Sequence, residues 1–263
     1  MLILISNDDG IHAAGINALA DEMSALARVI VVAPDREQSA TSHALTMYRP
    51  LRVNRVAKDR YAVDGTPSDC VTLAVGKLLG KRRPDLIISG INHGPNMGDD
   101  VMYSGTVAAA FEGYVNNIPS IAVSQLEWRT ADLKKAAQFV RRFVEDVPDI
   151  LSTPGLLLNI NVPHIGRGAP KGLRITRLGH RVYTDVISEK LDPRGRSYYW
   201  IAGTPTWYDE EDTDHAAIQE GYASVTPLKM DYTNYDLLEQ MRGWRTRHRA
   251  APALRRAKKS RKT

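Results

Sequence analysis

Two acidic side chains in succession, Asp8 and Asp9, stand directly after a short apolar run and directly before Gly10. Adjacent carboxylates repel each other and are easiest to accommodate with a cation beside them. Ser39 adds a hydroxyl and Asn92 an amide carbonyl, which completes an all-oxygen donor set. Hard donors of this kind suit Mg²⁺, Mn²⁺ or Ca²⁺ rather than a structural zinc. In isolation Asp-Asp-Gly is a turn with a helix cap; donors from separate loops shift the balance toward a metal. A second chemistry lies at Tyr103-Ser104-Gly105-Thr106, just ahead of Val107-Ala108-Ala109-Ala110. The free N–H groups and positive dipole end of a helix that starts there favour a phosphate, and Ser104 and Thr106 add hydroxyl donors. On its own, Ser-Gly-Thr is an ordinary N-cap. A cation on one side and an anion-binding helix start on the other are what phosphate-ester hydrolysis requires.

These residues need elements that bring them together. Leu2-Ile3-Leu4-Ile5, Val29 to Val32, Asp85 to Ser89, 118–123 and 156–160 are apolar runs of the kind that strands buried on both faces carry. Between them, 15–26, 67–79, 106–115 and 131–147 have helical character, with Thr66 as an N-cap and Pro67 at a first helical position. Strands and helices that alternate in this way predict a parallel, doubly wound α/β sheet. Ligands bind such sheets beyond the carboxyl ends of the strands. Asp8 and Asp9, Pro34 to Ser39, and the glycine- and asparagine-rich stretch from Gly90 to Asp100 all follow strands, so three polar clusters converge on one end.

Beyond about residue 165 the texture changes. The stretches 174–177, 182–187 and 197–201 read as half-exposed strands in hairpins, followed by a short helix over 214–219, a strand over 222–226 and an amphipathic helix over 235–244. Tyr183, Tyr198, Tyr199, Trp200, Trp207 and Tyr208 give the hairpins the look of oligomerisation arms, although a lid over the core would carry the same residues. The expected organisation is a catalytic core over 1–165, arms and a helix over 166–241 with some strands returning to the core, and a flexible basic tail over 242–263.

Other chemistries lack their residues. No Gly-x-Gly-x-x-Gly follows the first strand, and no phosphate-binding loop with its lysine and no Gly-x-Ser-x-Gly is present. Asp8 lacks the Asp-x-Asp pattern of aspartyl-phosphate chemistry, and the seven histidines, His12 and His93 near the site included, show no ligand spacing. Cys70 falls with Leu73, Ala74 and Leu78 on one helix face, as a core residue does. The chain of 263 residues is 43% hydrophobic and 25% charged, as a soluble globular protein is, with no run of about 18 apolar residues to span a membrane. The single cysteine and the absence of a signal peptide predict a cytoplasmic protein. The net charge of +5 belongs to the tail: residues 242–263 hold ten Lys or Arg and no acid, which leaves 25 basic and 30 acidic residues before them. Such a tail is a solvated extension first; contact with nucleic acid is the less favoured reading, since no aromatic follows Trp244.

The ordered blocks resemble the SurE family of survival-protein nucleotidases. They are Ser6-Asn7-Asp8-Asp9-Gly10, Ala33 to Ser39, Gly65 to Cys70, Ser89 to Asn92 with Gly94-Pro95-Asn96, Gly98 to Val101, Tyr103 to Ala110, Asn159-Ile160-Asn161-Val162-Pro163, Asp192 to Gly195 and Thr213-Asp214. The resemblance runs over nearly the whole chain except the tail. It implies a Rossmann-like fold with C-terminal β-hairpin oligomerisation arms, and a metal-dependent phosphatase acting on nucleoside 5′-monophosphates and often 3′-monophosphates. It maps metal ligands onto Asp8, Asp9, Ser39 and Asn92, and phosphate-facing residues onto Asn96, Ser104, Gly105 and Thr106. It further implies a homodimer or homotetramer. Ala14 stands where the family usually has proline, and the basic tail is longer than the family's.

The resulting expectation is one divalent cation per subunit, Mg²⁺ or Mn²⁺ with Ca²⁺ or Co²⁺ as alternatives, and a metal-bound water as nucleophile. Asp8 and Asn96 are the expected catalytic residues, with Asp8 assisting deprotonation of the water. A broad-specificity phosphomonoesterase or polyphosphatase, and a nucleotide sensor without turnover, are the competing readings.

Overall fold

Five residues without a polar face make β1 (Leu2–Ser6), which is buried along its whole length, as an inner strand of a parallel sheet must be. The computed structural model describes residues 1–126, 130–164, 169–184, 187–201 and 203–242. After β1 come α1 (Ala14–Met23), β2 (Arg28–Pro34), β3 (Val53–Ala57), β4 (Arg60–Val63), α2 (Pro67–Leu73) and β5 (Leu86–His93). The chain continues through α3 (Gly105–Val115), β6 (Ser120–Gln125), α4 (Thr130–Asp146), the single turn α5 (Pro148–Leu151) and β7 (Leu157–Val162). Among the described residues, nine strands form one sheet in the order β3-β4-β2-β1-β5-β6-β7, then a strand over Ala223–Pro227, then one over Leu173–Ile175. The six strands from β4 to β7 in that order are mutually parallel. Helices α1 and α4 cover one face through a core that includes Ile3, Ile5, Ile88, Ile121 and Ile160, while α2 and α3 cover the other around Leu4, Val32, Cys70 and Ile87. The result is the doubly wound α/β fold expected from the alternation.

Several elements differ from expectation for identifiable reasons. β5 does not stop at Ser89; after an irregularity in register it goes on pairing with β6, Asn92 opposite Ser124 and His93 opposite Gln125. The glycine- and asparagine-rich stretch is therefore partly strand, because a neighbouring strand satisfies its backbone whatever its side chains are. The helix expected over 67–79 is α-helical only to Leu73 and then widens into a π-turn over Ala74–Leu78, in which the Leu79 N–H bonds the Ala74 carbonyl at 3.0 Å. Its start is as expected, with Thr66 and Asp69 forming a reciprocal capping box ahead of Pro67. The β3–β4 hairpin at the sheet edge carries no wholly apolar run: Asn54 and Arg55 interrupt β3, which is exposed from Asn54 to Ala57, and only Ala62 and Val63 of β4 are buried.

Past β7 the strands are β8 (Leu173–Ile175), β9 (Arg181–Thr184), β10 (Ile187–Leu191), β11 (Ser197–Ile201), β12 (Thr204–Trp207) and β13 (Ala223–Pro227), with α6 (Asp214–Gln219) before the last. The single strand expected over 182–187 is two, and they belong to different ribbons: β9 pairs with β12 and β10 with β11, both antiparallel. β13 runs antiparallel to β7, and β8 lies parallel to β13, so this region also extends the main sheet. Residues Met1–Lys229 form one compact unit, and Met230–Thr263 a second. The second holds α7 (Tyr235–Met241), capped by the Asn234 side chain, whose Oδ1 accepts from the Leu237 N–H at 2.9 Å. The basic tail beyond Arg242 lies outside the described residues. No described helix is long and apolar enough to cross a membrane.

Candidate active site

Strand order reverses beside β1: the chain builds outward through β2 and β4 on one side, then returns to add β5, β6 and β7 on the other. Crevices form where successive connections leave in opposite directions. Asp8 and Asp9 follow β1 and Asn92 stands one residue before the end of β5, so these donors flank this switch point. A cavity of about 620 Å³ opens there, lined in part by Asp8, Ser39, Asn92, Asn96 and Ser104. Gly105 and Thr106 stand behind Asp8, and Asp9 lies beside His93.

Local bonding explains how the carboxylate turn is held. The Asn7 side chain donates to the Gly10 carbonyl at 3.0 Å and accepts from the Gly10 N–H at 3.2 Å, which closes the Asp8-Asp9 turn. The Gln38 N–H donates to the Asp8 carbonyl at 2.7 Å and ties the loop carrying Ser39 to the same turn. Asp8 is only 4% exposed, and its Oδ1 accepts a hydrogen bond from the Thr106 hydroxyl. Burial raises its pKa to about 6, with the neighbouring Asp9 charge adding to the rise and the Thr106 bond opposing it. Burial also raises the pKa of Asp9, against the pull of His93, whose Nδ1 lies 3.6 Å from Asp9 Oδ2. Among the described residues neither carboxylate pairs with a Lys or Arg.

This donor set fits a hard cation. Two desolvated carboxylates side by side are costly when ionised, and a divalent ion removes that cost. The Ser39 hydroxyl gives its proton to Glu37 Oε1 at 2.8 Å, which leaves oxygen lone pairs for another partner. The Asn92 Nδ2 donates to the Gly94 carbonyl at 2.8 Å, which leaves its Oδ1 available to a cation. No three of His, Cys, Asp and Glu gather closely enough to hold a metal among the described residues, so the mixed oxygen set is what the fold offers.

Opposite stands the start of α3. Ser104 is its N-cap, with Oγ accepting from the Val107 N–H at 3.1 Å, and its own O–H is left to donate. The first N–H groups of the helix have no acceptor within it. A Cβ at Gly105 would sit 2.8 Å from Asp8 Cβ and 3.0 Å from Asp8 Oδ2, so only glycine lets the helix start meet the carboxylate. Thr106 departs from expectation: its hydroxyl is fully buried and committed to Asp8, so it supports the carboxylate from behind. Asn96 reaches the cavity at 8% exposure.

One wall joins Asp100, which belongs to the cluster expected at this end of the sheet, to two residues that were not expected there. Asp100, Tyr183 and Ile201 also line the cavity, and the Tyr183 hydroxyl donates to Asp100 Oδ1 at 2.7 Å. Burial first, then that bond, pushes the Tyr183 pKa up to about 12. Tyr183 and Ile201 were read only as parts of the arms, and no local signal at either position ties it to a loop so distant in sequence.

Known proteins resemble this chain in sequence and in fold. The family of the survival protein SurE matches residues 3–185. A 5′-nucleotidase SurE of Desulforudis audaxviator is 48% identical over 254 residues, covering 93% of this chain and 97% of its own. One of Pelotomaculum thermopropionicum is 49% identical over 249 residues, with 92% and 94% covered. The crystal structure of the SurE protein from Aquifex aeolicus superposes with a TM-score of 0.82 at 42% identity, covering 92% of this chain and 98% of that one. With the family match extending over most of the chain and the solved relative sharing its fold, this chain belongs to the SurE family.

Proposed function

We propose that the chain is a metal-dependent 5′-nucleotidase that hydrolyses nucleoside 5′-monophosphates, and 3′-monophosphates as well, to nucleoside and phosphate. One observation carries this beside the names of the relatives: Asp8 and Ser104, the N-cap of an eleven-residue helix, line one cavity with Ser39, Asn92 and Asn96, while Asp9 lies next to Asp8 and Gly105 packs against Asp8. Asp8, Asp9, Ser39 and Asn92 hold one divalent cation, Mg²⁺ or Mn²⁺. Bound there, such an ion neutralises phosphoryl charge and acidifies water. Asn96, Ser104 and the Gly105 N–H hold the phosphoryl oxygens, while Thr106 keeps Asp8 turned toward the cation. Donors already fixed where charge develops need no reorganisation as the bond to the leaving group breaks.

The subunits assemble as a homodimer or homotetramer in the cytoplasm. Support for assembly comes from the β10–β11 ribbon, where Ile187, Leu191, Trp200 and Ile201 are all exposed, more apolar surface than a lone ribbon leaves to water. Cys70 is buried and unpaired, in keeping with a reducing compartment.

Phosphate release from a panel of 5′- and 3′-nucleoside monophosphates, with Mg²⁺, Mn²⁺ or EDTA, tests the function. Release that needs metal and vanishes in Asp8→Asn is expected. Folded protein that binds nucleotide saturably and releases no phosphate with any metal would be a sensor, and the proposal would fall.

A further inference from the structure

Asn159 and Asn161 sit in β7 at 0% and 1% exposure, where a strand covered on both sides is ordinarily apolar throughout. Buried amides are costly unless they find partners. Here they converge on a single residue. Asn161 Oδ1 accepts from the Asn96 N–H at 2.9 Å, and Asn161 Nδ2 donates to the Asn96 carbonyl at 2.9 Å. Asn159 Nδ2 donates to the same carbonyl at 2.8 Å. On β6, opposite Asn161, Ser124 Oγ accepts from Asn96 Nδ2 at 2.8 Å. Two positions further along the loop, the fully buried Asp214 accepts from the Gly98 N–H at 2.8 Å.

We infer that Asn159, Asn161 and Ser124 are positioning residues that set Asn96 before substrate arrives; the inference rests on Asn96 facing the phosphoryl group. The Asn-x-Asn spacing follows from the strand period of two, which puts both amides on one face. Two donors are used because the Asn96 carbonyl has two lone pairs. With its N–H and carbonyl both pinned, Asn96 keeps only side-chain torsions, and Ser124 fixes those by engaging one Nδ2 hydrogen. The other hydrogen is left for a phosphoryl oxygen. A misplacement of about 1 Å in such a donor costs roughly 100-fold in rate.

The test measures kcat and KM for adenosine 5′-monophosphate with Mn²⁺ in the full chain, and binding of Mn²⁺ alone. Ser124→Ala and Asn161→Leu are each expected to lower kcat about 10- to 100-fold. Binding of Mn²⁺ alone should stay within about twofold, since each substitution removes side-chain bonds to Asn96 and leaves those of Asp8, Asp9, Ser39 and Asn92 in place. Because both act through Asn96, adding either to Asn96→Ala should cost no more than about a further twofold, and Ser124→Thr, which keeps the hydroxyl, should restore most of kcat. Multiplicative losses in the double variants, or Mn²⁺ binding that weakens in step with kcat, would overturn the inference. Should Asn161→Leu fail to fold, Ser124→Ala carries the same test with a single oxygen removed. Asn96→Ala at wild-type kcat would remove the phosphate-site reading itself; Asn96→Ala impaired beside an unimpaired Ser124→Ala and Asn161→Leu would remove only the positioning role.

Discussion

On the carboxylate wall of the cavity, Ser39 and Asn92 are tethered locally, to Glu37 and Gly94, two residues away in each case. On the phosphate wall, Asn96 is bonded four times to residues of β6 and β7 far along the chain. The difference follows from what each wall meets. A resident cation draws oxygen ligands around itself, so short tethers that leave lone pairs free suffice. A phosphoryl group comes and goes with every turnover, and donors that had to be rearranged each time would lose their catalytic value. On the proposed roles, one wall is completed by an ion, the other by the fold.

Removing charge from the first wall should produce the largest effect. Asp8→Asn keeps the shape and the Thr106 contact but deletes a ligand, and turnover should fall on the order of 10³-fold, the several kcal/mol such an ion supplies. Circular dichroism should show the fold unchanged; turnover near the wild-type rate would end the proposed role. Next comes the point where the walls touch. Gly105→Ala drives a methyl into Asp8 Cβ at 2.8 Å, between a helix start and a buried turn that cannot give way. About 1–3 kcal/mol of stability should be lost to overpacking. Both Mn²⁺ affinity and KM should worsen together; a change in only one would show that the walls are independent.

The pH dependence of the metal-free protein sharpens the contrast. Asp8 has a folded pKa of about 6 against 3.8 for the free group, so the folded state holds its proton more tightly. Its contribution is fully favourable below the unfolded value and is lost as pH rises through about 6, amounting to about 3 kcal/mol. Asp9 acts in the same direction. In urea titrations with EDTA the stability should therefore decline from pH 4 to pH 7, and Mn²⁺ should stabilise far more at pH 7.5 than at pH 5. Equal stabilisation at both would mean that the ion binds elsewhere. The smallest effect is expected from Ser39→Ala, at a partly open position: Mn²⁺ affinity should drop by about tenfold or less, with thermal stability unchanged.

The candidate donors on the carboxylate wall were visible from residue type and position after a strand, although Asp8 and Asp9 alone read as a turn and only Ser39 and Asn92 on separate loops shifted the balance toward a metal. The fold brings Asp8, Ser39 and Asn92 to one cavity, with Asp9 next to Asp8. Asn161 was not readable in that way. The apolar run seemed to stop at Ile160, yet β7 runs to Val162 because β6 and β13 both pair with it. The Asn-x-Asn pattern makes sense only once Asn96 is seen against it. Thr106 shows the opposite: its hydroxyl was assigned to the phosphate by its place at a helix start, whereas α3, packed on β5 and β6, brings it to Asp8 in the turn after β1. Propensity locates elements, but which of two neighbours a hydroxyl serves is decided by tertiary packing.

Tyr183 and Ile201 join the cavity wall from a part of the chain that is made late. Every proposed ligand, from Asp8 to Thr106, is therefore synthesised before Tyr183. A product truncated ahead of Tyr183 would carry those donors without this wall, and its turnover is expected to fall below that of the full chain.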